Sequence, residues 1–384
     1  MSMPLATADA AGGFPRARVP ALDGVRAIAI LMVVACHVQV FLRPLSGPLA
    51  YFCSEVAWCG VYLFFVLSGY LIGTLALSEV DATGSLRIRA FWARRALRTW
   101  PLYVAALIAN VVWAAPDATP APGLWSYLTF TQGFFTMNYF IESWTLSVEE
   151  LFYFVLPVFV LIVLRLAGRR GMAIGCLLCV AASWLVRRRT GYLVHPATTF
   201  DSLMLGVLVA ETERSRHVVF DVLRRWAFPT LVAGLAVLVV CFGRGGPAWS
   251  RQFQGYVAIG FVLVLVSALN PAALASRLLA TRAFTMIAWS SYSTYLTHMF
   301  VIRLLVSGGL ADAPPSTATA FGVFLLATAA CLGCGWLIYE WVEAPGLRIR
   351  ERLVPRRSWR PNGAALADVA SARSVGPEPM ASAG

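Results

Sequence analysis

Lysine is missing from this chain of 384 residues, so all 31 residues counted as Lys+Arg are arginines. Charge of any sign is scarce. Only 13% of residues are charged and 59% are hydrophobic, whereas soluble domains carry about 25% charged residues. Apolar runs recur along the whole chain, more than a soluble core needs, which points to a membrane protein. The first twenty residues are polar or small and lack the apolar core of a cleavable signal peptide, so the first long apolar run is expected to direct insertion itself. No carboxylate or histidine accompanies the two C-x-x-C pairs, Cys176/Cys179 and Cys331/Cys334, inside their apolar runs. They are read as small residues that pack helices, and no metal site is expected. Cys53 and Cys59 lie near the outer end of the second run, where an oxidising compartment would let them bridge, and the sequence leaves that pairing open.

Ten spans can be placed, at 27–43, 56–77, 100–116, 147–165, 171–187, 200–211, 227–243, 253–269, 285–307 and 318–342. Lipid offers backbone groups no partners, so each span must be helical. The fold class is therefore all-α, a polytopic membrane protein of about ten transmembrane helices. The segment at 200–211 is short for a span, which implies tilt, a break or misplaced ends. With the N-terminus in the cytoplasm, 24 arginines fall on the cytoplasmic side and seven elsewhere. That bias places both termini in the cytoplasm. The run "RRR" at 187–189 falls on the wrong side and signals a boundary error. The net charge of +12 is thus mainly a topology signal, and no nucleic-acid partner is expected because the arginines lie in separate short loops. Residues 1–20 read as a cytoplasmic segment, 21–350 as one membrane domain, and 351–384, rich in Ala, Ser, Pro and Gly, as a disordered cytoplasmic tail with no further domain. "GYLIG" at 69–73 is a G-x-x-x-G that lets helices approach closely.

Ionisable groups inside a bilayer are costly and are retained mostly for function. The stretch "LDGVRAIAILMVVACHVQVF" carries Arg26 and His37 eleven positions apart. On a helix this spacing puts both within roughly 20° of one face, about 16 Å apart along the axis, with Arg26 near a surface and His37 near the bilayer centre. His298, in "SSYSTYLTHMFVI", is expected at similar depth, so the two histidines suggest one chamber; a histidine merely bonded between helices is the plainer alternative. His195 and His217 fall in loops and read as solvated. In "IESWTLSVEELFYFVLP", Glu149 and Glu150 enter the fourth span. A helix N-terminus favours negative charge, so capping suits Glu150. Glu149 is expected to face the chamber and meet a histidine or an acceptor hydroxyl. Asp201 is a weaker candidate at the outer mouth. In "FWARRALRTWPLY", Arg94, Arg95 and Arg98, with Arg87 and Arg89, precede the third span. Anchoring to anionic lipid explains arginines here in general. Yet Arg95 and Arg98, at i and i+3, share a face suited to phosphate, and Arg26 completes a basic mouth.

Six stretches in this order resemble acyltransferase family 3, integral membrane O-acyltransferases of bacteria with eukaryotic relatives. The likeness runs from about Ala21 to Pro345. Arg26 and His37 match an R-x10-H signature, "GVYLFFVLSGYLI" a second-helix pattern, "RALR" an R-x-x-R, "SWTLSVEELFY" a W-S-L-x-V-E segment, "SYSTYLTH" the penultimate helix and "YEWVEAPGLR" a closing E-x-P element through Glu343 and Pro345. Tyr62 stands where members often carry an acid, and Thr145 replaces a frequent serine.

The resemblance implies transfer of an acyl group, commonly acetyl, from acyl-coenzyme A to a hydroxyl of a surface polysaccharide, lipid-linked glycan or glycosylated metabolite, by a multi-pass protein of the bacterial cytoplasmic (inner) membrane. Arg26, Arg95 and Arg98 would hold the coenzyme's phosphates. His37 would take the proton of the attacking hydroxyl, Glu149 would orient or stabilise the imidazole, and His298 would share the chamber. Ser68 and Gly69 are candidate helix-break or oxyanion elements. The donor is a substrate, so no permanently bound cofactor is expected; the expected partners are acyl-coenzyme A, a carbohydrate acceptor and membrane lipid. A proton-coupled transporter or flippase is the rival, with His37, Glu149 and His298 as a proton relay. The lack of a basic outer mouth and of an obvious inverted repeat argues against it. Trp125, Tyr127 and Tyr139 of the outer loop 117–143 offer aromatic faces that would suit a sugar, without naming one. The oligomeric state is not legible.

Overall fold

Pro20 opens the first helix, where its missing N–H is no loss, and Arg43 ends it in the left-handed conformation at φ 46°. This helix, α1 (Pro20–Leu42), carries Arg26 and His37 on one unbroken rod. The computed structural model describes residues 19–114, 123–135, 140–191, 195–243, 253–310 and 316–354. The expected tail beyond 354, most of the segment 1–20 and Tyr139 lie outside those residues.

After α1 come α2 (Gly47–Tyr51), a π turn (Phe52–Val56), α3 (Gly60–Thr83), α4 (Ile88–Ala114), α5 (Leu124–Leu128), α6 (Trp144–Ala167), α7 (Gly171–Thr190) and α8 (Pro196–Arg214). The chain continues through α9 (Val218–Arg225), α10 (Ala227–Gly243), α11 (Gln254–Ala268), α12 (Leu274–Leu279), α13 (Arg282–Trp289), α14 (Ser291–Ser307), α15 (Thr317–Ile338), a second π turn (Tyr339–Glu343) and α16 (Ala344–Leu353). Among the described residues there is no strand. Both loop histidines cap helices: His195 accepts from the Ala197 N–H at the start of α8, and His217 from the Val219 N–H at the start of α9.

Among the described residues six helical stretches are long and apolar enough to cross a membrane: 20–42, 47–83, 88–113, 141–167, 171–190 and 317–353. A bent pair, α9 with α10, passes together at a 94° break. The other expected spans are real helices that fall short for a physical reason. The segment at 200–211 belongs to a longer helix, α8, whose Thr198, Thr199, Asp201 and Ser202 are buried against neighbouring helices. The segment at 285–307 is broken at Ser290 into α13 and α14, and α14 buries Ser293, Thr294, Thr297 and His298. A helix enclosed by protein keeps polar residues that a lipid-facing one would lose.

Glycine decides how closely α3 and α8 meet. A Cβ at Gly69 would collide with the Leu203 backbone, and one at Gly206 with the backbone of Val66 and Tyr70. Gly73, the partner of Gly69 in the G-x-x-x-G, lies against Val207. The motif therefore does what its spacing suggests, bringing two backbones into contact. Because α3 runs unbroken through Ser68 and Gly69, the helix-break reading of that pair is corrected.

Burial explains the first arginine of the run that seemed misplaced, while Arg188 and Arg189 are exposed. Arg187, 7% exposed, pairs with the fully buried Asp201 at 2.7 Å and also donates to the Thr198 carbonyl, while Trp184 Nε1 donates to Asp201 at 2.9 Å. Asp201 is thus a helix tie between α7 and α8 and not a group of an outer mouth. Removing one partner strands the other charge, so Asp201→Ala is expected to cost about 3–5 kcal/mol, read as a large fall in melting temperature in detergent. An unchanged melting temperature would show that the pair carries no such load.

At the opposite ends of these helices, Glu79 accepts from Arg87 and Arg94, Asp81 from Arg169 and Arg214, and Glu211 from Arg214. These contacts tie the ends of α3, α4, α7 and α8 together. They engage Arg87 and Arg94 and leave Arg95 and Arg98 for something else.

Candidate active site

α1 and α14 cross so that two imidazoles from opposite ends of the sequence meet. His298 Nε2 lies 3.3 Å from His37 Nδ1, and the ring centroids are 4.9 Å apart. Backbone carbonyls assign the protons. His298 Nδ1 is 2.7 Å from the Tyr295 carbonyl, and His37 Nδ1 is 2.9 Å from that of Val33. A carbonyl only accepts, so in the neutral rings both Nδ1 atoms carry hydrogen. The bare Nε2 of His298 then receives part of the His37 Nδ1–H bond. His37 Nε2 keeps its lone pair. The Cys331 thiol donates weakly to the His298 carbonyl at 3.7 Å, with His298 fully buried and His37 partly open.

Glu149 does not partner either histidine, which corrects the expectation that it orients His37. Ser68 Oγ donates to one of its oxygens at 2.8 Å and Tyr153 OH to the other at 3.3 Å. The group that orients His37 is instead a second imidazole. Ser68 supports a carboxylate and is not an oxyanion donor in this arrangement. Capping also fails for Glu150, because α6 starts at Trp144 and leaves both glutamates beyond its first turn. Thr99 Oγ1 at 2.7 Å and Trp100 Nε1 at 3.0 Å donate to Glu150 and tie α6 to α4.

Around these carboxylates gather the three arginines. Arg26 lies within electrostatic reach of Arg98, Asp23, Tyr153 and Glu149, and Arg95 of Tyr153, Arg98, Arg350 and Glu150. The Arg95 guanidinium stands over the Tyr153 ring, 5.6 Å from its centroid. A cavity of about 150 Å³ opens beside it, lined by Trp92, Trp100, Glu150, Tyr153 and Phe154. Among the described residues none of the three arginines makes an ion pair or a hydrogen bond, in contrast to Arg87, just before α4, and Arg94 within it. Glu343, in the second π turn, accepts from Ser293 at 2.6 Å and completes the ring of acids near Arg98 and Arg26. The rise along α1 separates Arg26, its member on that helix, from His37 by about 16 Å.

Reading the sequence missed two features. Tyr153 follows Glu149 by four positions, a spacing that puts both on one helix face, and that signal could have found it. Tyr295 gave no such signal. Its hydroxyl donates to the Glu142 carbonyl at 2.8 Å and accepts from Thr145 at 2.7 Å, so the substituted threonine keeps a hydroxyl in use. At the other departure, the Tyr62 hydroxyl is buried with no partner among the described residues. No group of three or more His, Cys, Asp or Glu that could hold a metal is found among the described residues, and the eight cysteines are free thiols.

Relatives share this chain's length only in part. It is 26% identical over 326 residues to the peptidoglycan O-acetyltransferase OatA of Listeria monocytogenes, covering 76% of this chain and 50% of that protein. A Bacillus subtilis protein named "Putative peptidoglycan O-acetyltransferase YrhL" is 25% identical over 320 residues, covering 74% and 49%. A Staphylococcus aureus protein named "Putative O-acetyltransferase SACOL0978" is 24% identical over 382 residues, covering 90% and 59%. The chain thus spans about half to three fifths of the length of these relatives. No solved structure matches. The acyltransferase domain model of family 3 matches residues 19–340, and the chain belongs to that family.

Proposed function

We propose that the chain is a membrane O-acyltransferase that moves an acyl group, acetyl in the simplest case, from acyl-coenzyme A to a hydroxyl of a carbohydrate. The observation that carries this reading is the histidine pair: one imidazole holds the other so that His37 Nε2 presents a lone pair. The donor's phosphates would lie on Arg26, Arg95 and Arg98, whose guanidinium groups are placed together without ion-pair partners among the described residues. The thioester arm would then reach along α1 toward His37.

The step balances with these groups alone. The acceptor oxygen forms a bond to the acyl carbon as its proton passes to His37 Nε2. The charged imidazole is stabilised through its Nδ1–H bond to His298 Nε2, a weaker form of the support a carboxylate gives in hydrolase triads. The carbon–sulfur bond breaks and the leaving thiolate takes the proton from His37, which returns to its neutral form. His37 thus acts in turn as general base and general acid.

We read the fold as ten spans with both termini in the cytoplasm of a bacterium, supported by the arginine bias and by helices at each of the expected positions. The donor is then cytoplasmic and the acceptor external. Sealed inverted membrane vesicles test both points. Labelled acetyl-coenzyme A added outside them is expected to acylate glycan enclosed within, and the same addition to right-side-out vesicles is expected to give none. Transfer from the other face only would reverse the orientation, and no ester in either preparation would refute the activity.

A further inference from the structure

The geometry points to Gln132 and Glu142 as the acceptor subsite, a pair of buried oxygens that receive hydroxyl hydrogens from a polyhydroxylated acceptor. This rests on the acyl-transfer reading and adds to it the place where the acceptor is held. Gln132 is fully buried and Glu142 is 4% exposed, and Oε1 of each has no hydrogen-bond partner among the described residues.

The open acceptor of Gln132 is not an accident of how its amide was turned. The Gln132 NH2 donates to the Ser143 carbonyl at 3.1 Å and to the Tyr103 hydroxyl at 3.2 Å. The Ser143 carbonyl has no hydrogen to give, and the Tyr103 hydroxyl gives its own to the Tyr127 carbonyl at 2.9 Å. The Ser143 hydroxyl, 3.3 Å from the same nitrogen, can bond the amide either way, but turning it would set its oxygen against the Ser143 carbonyl oxygen, so Oε1 keeps its position. Arg303 is the cation within electrostatic reach of Glu142, but its Nη1 donates to the buried Asn110 at 3.2 Å, and no ion pair joins it to Glu142 among the described residues.

Buried oxygens left without donors are costly to keep. Two of them are linked through Ser143: the Gln132 NH2 donates to its carbonyl and its hydroxyl, and Glu142 precedes it in the chain. Both are acceptors, so their ligand must bring donors. A phosphate or carboxylate ligand brings none and is repelled by Glu142, and a metal ion is disfavoured by the neighbouring Arg303. Hydroxyl groups fit, and a sugar presents several at once.

The position relative to the reacting centre agrees. Tyr295 donates to the Glu142 carbonyl at 2.8 Å, and its ring centroid lies 5.6 Å from that of His298. One side chain thus joins the backbone of Glu142 to the histidine pair. Among the described residues nearby, Phe130 and Phe140 adopt φ of 55° and 48°, and Ser147 donates to the Phe130 carbonyl at 2.6 Å.

The test uses the full chain in nanodiscs, with labelled acetyl-coenzyme A and soluble glycan fragments of peptidoglycan as the acceptor probe. Glu142→Met is expected to raise the acceptor KM about tenfold or more, with donor Kd within about twofold and a melting temperature unchanged or raised, because a buried oxygen without a donor has been removed. Glu142→Gln keeps one acceptor oxygen and is expected to fall between. An unchanged acceptor KM in Glu142→Met overturns the subsite. So does a loss of donor affinity together with a lower melting temperature, which would mark Glu142 as structural. If the wild-type protein forms no ester on the glycan while binding donor, the transfer reading fails, and the subsite goes with it.

Discussion

His37→Ala is expected to lower acyl transfer by on the order of 10²–10⁴-fold, the usual worth of a placed general base, while acyl-coenzyme A binds within about twofold of its original affinity. The separation of effects follows from depth. Arg26 of the basic cluster and His37 stand about 16 Å apart along one helix, so removing the imidazole touches the reacting end of the donor and not its phosphates. The loss should appear in kcat and leave donor KM largely alone. His298→Ala is expected to act in the same sense but more weakly, since it removes the bond that orients His37 and leaves the lone pair in place. Donor binding, acceptor acylation and melting curves on the same preparations make the measurement. If His37→Ala retains most of its acylation rate, the base lies elsewhere. A proton-relay transporter then becomes the better account of the pair.

Arg26, Arg95 and Arg98 are expected to fail in the opposite way. A charge-assisted hydrogen bond contributes about 1.5–3 kcal/mol, so each replacement by alanine should weaken acyl-coenzyme A binding about tenfold to a hundredfold. Turnover should recover at high donor concentration. Salt should weaken wild-type binding, as it does for partly exposed phosphate contacts, and weaken it less in the variants. Arg87→Ala supplies the control. Arg87 is engaged by Glu79, so its loss should alter stability before donor affinity. Isothermal titration with acetyl-coenzyme A at two salt concentrations reads all four variants. Donor affinity unchanged in Arg26→Ala, Arg95→Ala and Arg98→Ala, in folded protein, would assign these guanidinium groups to lipid headgroups.

The class of the molecule, its helices and the residues worth testing were legible in the order of amino acids alone. Helical periodicity is a local property, so the eleven-residue spacing of Arg26 and His37 already put both on one face, and the i, i+3 spacing of Arg95 and Arg98 did the same. The paucity of charge and the placement of arginine spoke for a membrane. Even the G-x-x-x-G at Gly69 announced a close helix contact, though not that α8 would fill it.

Which side chains meet is a matter of packing. His37 and His298 are 261 positions apart, and their contact depends on the rotation and depth of two helices packed among many others. The same is true of Glu149 with Ser68, of Arg187 with Asp201, and of Tyr295 with Glu142. The sequence shows that a carboxylate lies in an apolar run. It cannot show the partner, because the partner is set by inter-helix register, a sum over all the packed faces at once. Hydropathy misjudges the enclosed helices α8 and α14 for the same reason: their polar residues are tolerated by neighbours that periodicity cannot see, and those residues are where the pairs that organise the site are made.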